Sequence, residues 1–368
     1  LRASYGIGGN IGRNTAPYLI ASYYDSSLVD GMAGSVNTPP NKDIRWEKTT
    51  TVNVGVDFAL FRHRLSGTIE YYNKYSVDLL AAINGSPTQG FGYTTLMTNN
   101  GKMVNRGVEI TLSGEIIRQK DFSWNASLLY AFNRNKVKHI SVQPSLWDSR
   151  ISMPTSYPMV GKPLYGIYAY KWAGLNENGD PQVYDAENNV TSGPARDYHA
   201  LVYCGTTVPI HNASLTNVLR YKGFEFSAML ILDAGHKLRS SNIPSINMSN
   251  GRITSTAKGI VDRWTQPGDV TDVPRLLFSN DTENFNTHRT ELYRYSDLFV
   301  YDASNIRLSN ISLAYRVPAH WCKKISLSGA RLQFNVENVA TFAFDSKANY
   351  DLGGKVKPNY VWGLYLNF

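Results

Sequence analysis

The chain has 368 residues, of which 42% are hydrophobic, 12% aromatic and only 18% charged, with 24 Tyr and 29 Gly; soluble domains carry about 25% charged residues. No stretch approaches the roughly 18 consecutive apolar residues of a transmembrane helix, so any membrane crossing must be made by strands. The formal charge of +8 is spread over turns and loops without a long basic run, which argues against a nucleic-acid partner.

The chain opens without Met, at Leu1-Arg-Ala-Ser-Tyr-Gly-Ile-Gly-Gly9, already in a strand-like alternation. It reads as a fragment or processed chain whose N-terminal part lies elsewhere, and a missing signal peptide then carries no weight. About ten segments of period-two alternation follow. Val52, Val54, Val56 and Phe58 alternate with Asn53, Gly55 and Asp57, and the pattern resumes after Phe61-Arg-His-Arg64 with Leu65, Gly67, Ile69 and Tyr71. Val108, Ile110 and Leu112 lead to a turn near Arg118-Gln-Lys-Asp121, and Phe122, Trp124, Ala126, Leu128, Tyr130 and Phe132 follow it. A third hairpin joins 213–220 to 224–232, and a fourth joins 306–317 to 331–339. The last strand places Tyr360, Trp362, Leu364, Leu366 and Phe368 on one face.

Connections alternate in length. Those around 61–64, 117–121 and 221–223 are tight, while those near 10–43, 81–102, 137–208 and 237–303 are long. Structureless loops above about 15 residues are uncommon in ordinary domains. Short turns at one end, long loops at the other, and strands with one apolar and one polar face describe an all-β, antiparallel outer-membrane β-barrel. A soluble sandwich leaves both the long loops and the two-faced strands unexplained. Asp57, Glu70, Glu109, Arg307, Arg331 and Glu337 fall on the polar, lumen-facing side, and Trp46, Trp124 and Trp362 suit interfacial belts.

Cys204 falls in a long loop and Cys322 in a short turn at the opposite rim, too far apart for the Cα separation of about 7 Å that a disulfide allows. Nothing assembles a catalytic site: the seven His form no metal-binding motif, and Gly6-Ile-Gly-Gly-Asn-Ile-Gly12 lacks the third glycine of a dinucleotide loop. No cofactor is expected and the chain reads as no enzyme. Asn176, Asn178 and Asp180 cluster oxygen ligands that could hold Ca²⁺, but without an EF-hand register, and Asx-rich turns form for local reasons. Aromatic residues in the long loops are the candidates for substrate or partner contact: Trp147, Tyr157, Tyr165, Tyr168, Tyr170, Trp172, Tyr293 and Tyr295. Rings of this kind stack on sugars, anchor protein partners, or simply pack the loops.

Ile44-Arg-Trp-Glu-Lys-Thr-Thr-Thr-Val-Asn-Val-Gly-Val-Asp-Phe58, Arg64-Leu-Ser-Gly-Thr-Ile-Glu-Tyr-Tyr-Asn-Lys74 and Asp78-Leu-Leu80 resemble a run of the SusC/RagA family of TonB-dependent outer-membrane transporters. Four more stretches agree in order: Asn100-Gly-Lys-Met-Val-Asn-Arg-Gly-Val-Glu109, Leu164–Asp180, Asp302–Tyr315 and Val336-Glu-Asn-Val339, with the terminal Phe368. Departures are side-chain swaps such as Asn305, where an aromatic or Leu is common, and Ala340-Thr341.

The resemblance implies that residues 1–368 are a C-terminal section, about ten strands, of a larger barrel of roughly twenty-two strands. The signal, plug, TonB-contacting segment and first strands would lie outside this chain. It further implies the outer membrane of a Gram-negative, Bacteroides-type bacterium, with lipid around the wall and a SusD-like surface lipoprotein as partner. TonB would act through the N-terminal part of the same protein, driving import of oligosaccharides or peptides. A passive porin-like pore and a surface adhesion or assembly barrel are the alternatives.

Overall fold

The computed structural model describes residues 1–12, 17–27, 30–84, 88, 95–142, 147–193, 195, 197–248, 257–278, 287–352 and 357–368. Ten strands form one sheet: β1 (Arg2–Asn10), β2 (Glu47–Leu60), β3 (Leu65–Asn84), β4 (Thr95–Arg118), β5 (Phe122–His139), β6 (His211–Tyr221), β7 (Phe224–Ala234), β8 (Asn305–Arg316), β9 (Gly329–Ala343) and β10 (Asn359–Asn367). Each pairs antiparallel with the next, from β1 through β10. Among the described residues β1 and β10 do not pair with each other, so the sheet is a section of wall.

Register fixes the faces. Gly55, Glu70, Glu109, Ala131, Asn212, Asp233 and Asn305 lie side by side across seven strands. The opposite face carries Val54, Tyr71, Val108 and Phe132 at one height, and Leu112, Leu128, Leu215, Leu230 and Leu308 further down. A slip of one residue would turn the apolar set inward, so the pattern itself specifies the register. On β5 the apolar face runs from Phe122 to Phe132. At about 3.4 Å per residue and a tilt near 45°, that span is roughly 24 Å high, the height of an outer-membrane apolar band.

The polar face is held by ion pairs that cross strands. Arg2 reaches Glu70 and Asp57, the latter at 3.4 Å, Arg307 meets Asp233 at 3.2 Å, and Arg331 meets Glu225 at 3.1 Å. Gly107 sits on this face beneath Tyr72, where a Cβ would lie 2.4 Å from the ring and 2.5 Å from the Phe132 carbonyl oxygen. Only glycine leaves room for that ring.

The tight connections 61–64, 119–121 and 222–223 share one rim with 317–328, which folds into the short helix Ala319–Lys323. Phe61, Arg62 and His63 adopt left-handed backbone in succession (φ 53°, 57° and 66°) to reverse the chain. The other rim bears 11–46, 140–210, 235–304 and 344–358. The expected long loop at 81–102 is corrected: β3 and β4 pair through most of it, from Leu79↔Gly101 to Asn84↔Thr95. Above the membrane both faces meet water, so these residues lose the alternation that marks a strand. Cys204 and Cys322 are both free, the latter buried in the turn helix.

Leu128 and Leu129 are chain neighbours on opposite faces of β5. Leu128→Arg is expected to cost about 2–4 kcal/mol of barrel stability near the bilayer midplane. Leu129→Arg, facing the lumen, is expected to cost little. Heat-modifiable mobility of the full-length protein from outer membranes reads both; the reverse ranking would invert the assigned faces.

Candidate binding surface of the long loops

The two longest connections fold onto each other. Within 140–210, Gly166–Tyr170 pairs with Leu201–Thr206, and Pro181–Tyr184 lies between Trp172–Leu175 and Val190–Thr191. Within 235–304, Lys237–Arg239 pairs with Val300–Asp302, and a helix runs over Thr287–Arg294. The loops meet where the Tyr170 amide donates to the Tyr295 carbonyl oxygen at 2.9 Å and the Trp172 amide donates to Asp297 Oδ1 at 2.9 Å. Arg239, whose pKa burial draws below the usual guanidinium value, donates to the carbonyl oxygens of Tyr168, Arg294 and Ser296.

Most of the predicted aromatics converge at this junction. Trp147 lies over Tyr170 with ring centroids 6.0 Å apart and near Tyr295 at 6.2 Å, while Trp172 tilts against Tyr293 at 5.9 Å. Tyr168, Tyr170 and Tyr293 are buried, so their rings are used in packing. The Tyr170 hydroxyl donates to the Ala195 carbonyl oxygen at 2.7 Å, and burial raises the Tyr293 phenol well above its ordinary pKa. Trp147, Tyr157, Trp172 and Tyr295 are half-buried and Tyr165 is exposed; these five present surface.

The oxygen cluster forms the local turn that its Asx-rich sequence offers. The Asn176 side-chain oxygen accepts from the amides of Asn178 and Asp180, a local Asx turn. Both Asp180 carboxylate oxygens accept from Arg275, at 3.0 and 2.8 Å, and Oδ1 also accepts from Arg289 Nε at 2.6 Å. Two guanidinium groups thus occupy the carboxylate a Ca²⁺ ion would need, and the Ca²⁺ reading of Asn176, Asn178 and Asp180 is withdrawn. Arg289, buried, also donates to Asn247 Oδ1 and the Arg275 carbonyl oxygen, so one carboxylate ties the first loop to two points of the second. Burial lowers the Arg289 pKa, an effect that Asp180 opposes. Gly179, at φ +74°, passes under Trp264, where a Cβ would lie 2.4 Å from the indole.

Two further features went unpredicted. Loop 155–164 leans on the tall part of the wall around an apolar cavity of about 490 Å³, bordered by Leu79, Leu80, Met97, Met103, Val137 and Leu164. The Cys204 thiol is pushed up to about 11, by burial first and then by Asp297. No sequence signal marks either, since the cavity depends on how a loop lies against the wall and the thiol on how the two loops pack together.

A family model described as TonB dependent receptor-like, beta-barrel matches residues 1–339. TonB-dependent receptor P3 of Formosa agariphila is 26% identical over 390 residues, covering 99% of this chain and 37% of that protein. TonB-dependent receptor SusC of Bacteroides thetaiotaomicron is 25% identical, covering 92% and 34%. The solved structure of the RagAB peptide transporter superposes with a TM-score of 0.75 at 24% identity, over 100% of this chain and 40% of that one. The chain therefore spans between a third and two fifths of the length of these relatives. Its relatives are named as TonB-dependent receptors and a peptide transporter, in keeping with the expectation that it is not an enzyme. A two-faced antiparallel wall with tight turns on one rim and long loops on the other, matched from its first residue onward, belongs to the TonB-dependent receptor family as a section of its outer-membrane β-barrel.

Proposed function

We propose that this chain forms the C-terminal part of the wall and the outer cap of a SusC/RagA-type importer. In this reading the remaining strands, the plug and the TonB-contacting segment lie in the portion of the protein that the chain does not span. A SusD-like lipoprotein closes over the long-loop rim, and oligosaccharides or peptides are the cargo. One observation carries the reading: the two longest loops are locked together through an aromatic core and a half-buried carboxylate–arginine clamp, on the rim above a polar, ion-paired inner face. A cap built this firmly suits a gate that must pass large solutes and exclude others, more than an open diffusion pore. Trp147, Tyr157, Tyr165, Trp172 and Tyr295 supply the rings that would meet cargo or lipoprotein, while Tyr168, Tyr170 and Tyr293 hold them in place.

The test is intact-mass analysis of the complex from native outer membranes in mild detergent, together with uptake of labelled oligosaccharides and peptides by a deletion strain. A chain well above 41.1 kDa, a co-purifying lipoprotein and loss of uptake of one cargo class are expected. A species of that mass alone, conducting ions without a partner, would replace the proposal with a passive pore. Unchanged uptake of both cargo classes would favour adhesion or assembly.

A further inference from the structure

Beyond the apolar band, toward the long-loop end, the outward face of β2–β5 gains basic residues interleaved with Val52, Tyr75 and Val104. On β5 the residues that follow Phe132 on the same face are Arg134, Lys136 and Lys138; on β4, Val108 is followed by Arg106. On β3, Tyr71 is followed by Asn73, and Lys48 stands on the same face of β2. All five cations are exposed. Two residues along a strand advance only about 7 Å, so the first of these groups lies at the depth where lipid headgroups begin.

Arg106 and Arg134 are direct partners across the β4–β5 ladder. Like charges facing each other in this way repel at a separation of about 5 Å between Cβ atoms. Arg106 is nevertheless held in place, its Nε donating to Asn73 Oδ1 at 2.9 Å. Among the described residues none of the five cations has a carboxylate within ion-pair distance. On the inner face Arg2, Arg220, Arg307 and Arg331 each have one. An unneutralised cation cluster, continuous with the lipid-facing rows, calls for an anion supplied by the membrane.

We propose that this surface binds the phosphorylated headgroup of an outer-leaflet lipid, with Arg106 and Arg134 sharing one phosphate and Lys136 and Lys138 completing the site. Guanidinium forks match phosphate oxygens in two-point contacts, and two facing arginines are reconciled by one bridging anion. A lipid is preferred over free phosphate because its acyl chains would lie on Tyr71, Val108 and Phe132, directly below on the same face. The proposal rests on the placement of the apolar band in the membrane, which the Leu128→Arg and Leu129→Arg pair tests separately.

The experiment uses the full-length protein from native outer membranes, with native mass spectrometry counting retained phosphorylated lipid. R106Q/R134Q/K136Q is expected to lower retention about tenfold or more, whereas R106K/R134K keeps most of it. R62Q/K120Q, at the short-turn rim, should leave retention unchanged. In parallel, wild-type protein is placed in nanodiscs of phosphorylated or enzymatically dephosphorylated lipid A, or given inorganic phosphate alone. A higher melting temperature with phosphorylated lipid A only is the expected outcome. Equal retention by wild type and the glutamine variant overturns the proposal, as do equal melting temperatures in the two bilayers. Equal stabilisation by free phosphate overturns it too, since the site would then be one for small anions. The nanodisc measurement stands even where the triple variant does not assemble.

Discussion

Asp180→Ala is expected to release the two longest loops from each other while the wall stays folded. The substitution removes the single carboxylate shared by Arg275 and Arg289 and strands two guanidinium groups, with Arg289 only 3% exposed. Breaking a buried pair by removing one partner costs about 3–5 kcal/mol, more than the pair itself is worth, because the remaining charge stays desolvated. Local opening of that size is read by hydrogen exchange and limited proteolysis of the full-length protein. Faster exchange is expected at both ends of the clamp, around 172–191 and 287–296, with the amides of β5–β8 unchanged. If only the first loop loosened, the clamp would not be the link between them. Asp180→Asn, which keeps the shape and part of the acceptor set, should fall between the two.

Tyr170→Ala should have a comparable effect by a different route. The ring is 1% exposed, lies against Trp147, and carries a hydroxyl bonded to the Ala195 carbonyl oxygen. Truncating a buried aromatic costs about 3–5 kcal/mol through lost transfer and the cavity left behind. Tyr170→Phe removes the hydrogen bond alone and is expected to cost about 1 kcal/mol. Uptake by a strain carrying Tyr170→Ala should fall with the protection of 166–206, since Trp147, which in turn lies near Tyr295, loses the ring it stacks on. Full uptake with lost protection would show that cargo does not need an ordered cap.

Where the membrane imposes two unlike solvents, the chain declares its structure. Phe224, Phe226, Ala228, Leu230 and Leu232 hold the face that meets lipid, Glu225, Ser227 and Asp233 fall on the other, and the hairpin of 213–220 with 224–232 is legible from that alternation. Thr95 to Lys102 show no such rhythm, so 81–84 of β3 and 95–102 of β4 read as loop from the sequence. The loop aromatics were legible as a group, but their burial was not: whether Tyr293 faces water depends on where Trp172 and Phe299 come to rest. The partners of Asp180 are not legible in the sequence, for a similar reason. Its arginines lie about a hundred residues further along the chain, and no spacing rule connects them.

The unequal strand lengths have a mechanical consequence. β3 and β4 run on, paired only with each other, well past the level where β6 begins. A two-stranded ribbon is marginal on its own, and this one is stayed like a mast. Asn41 donates to the Met97 carbonyl oxygen, Asn99 ties the ribbon to Arg45 and Asp78, and the Leu80 amide donates to Glu47. The cavity of about 490 Å³ lies between this mast and loop 155–164. A lean of the ribbon would therefore alter the width of the cavity, whose remaining walls include Glu47 of β2 and Val137 and His139 of β5.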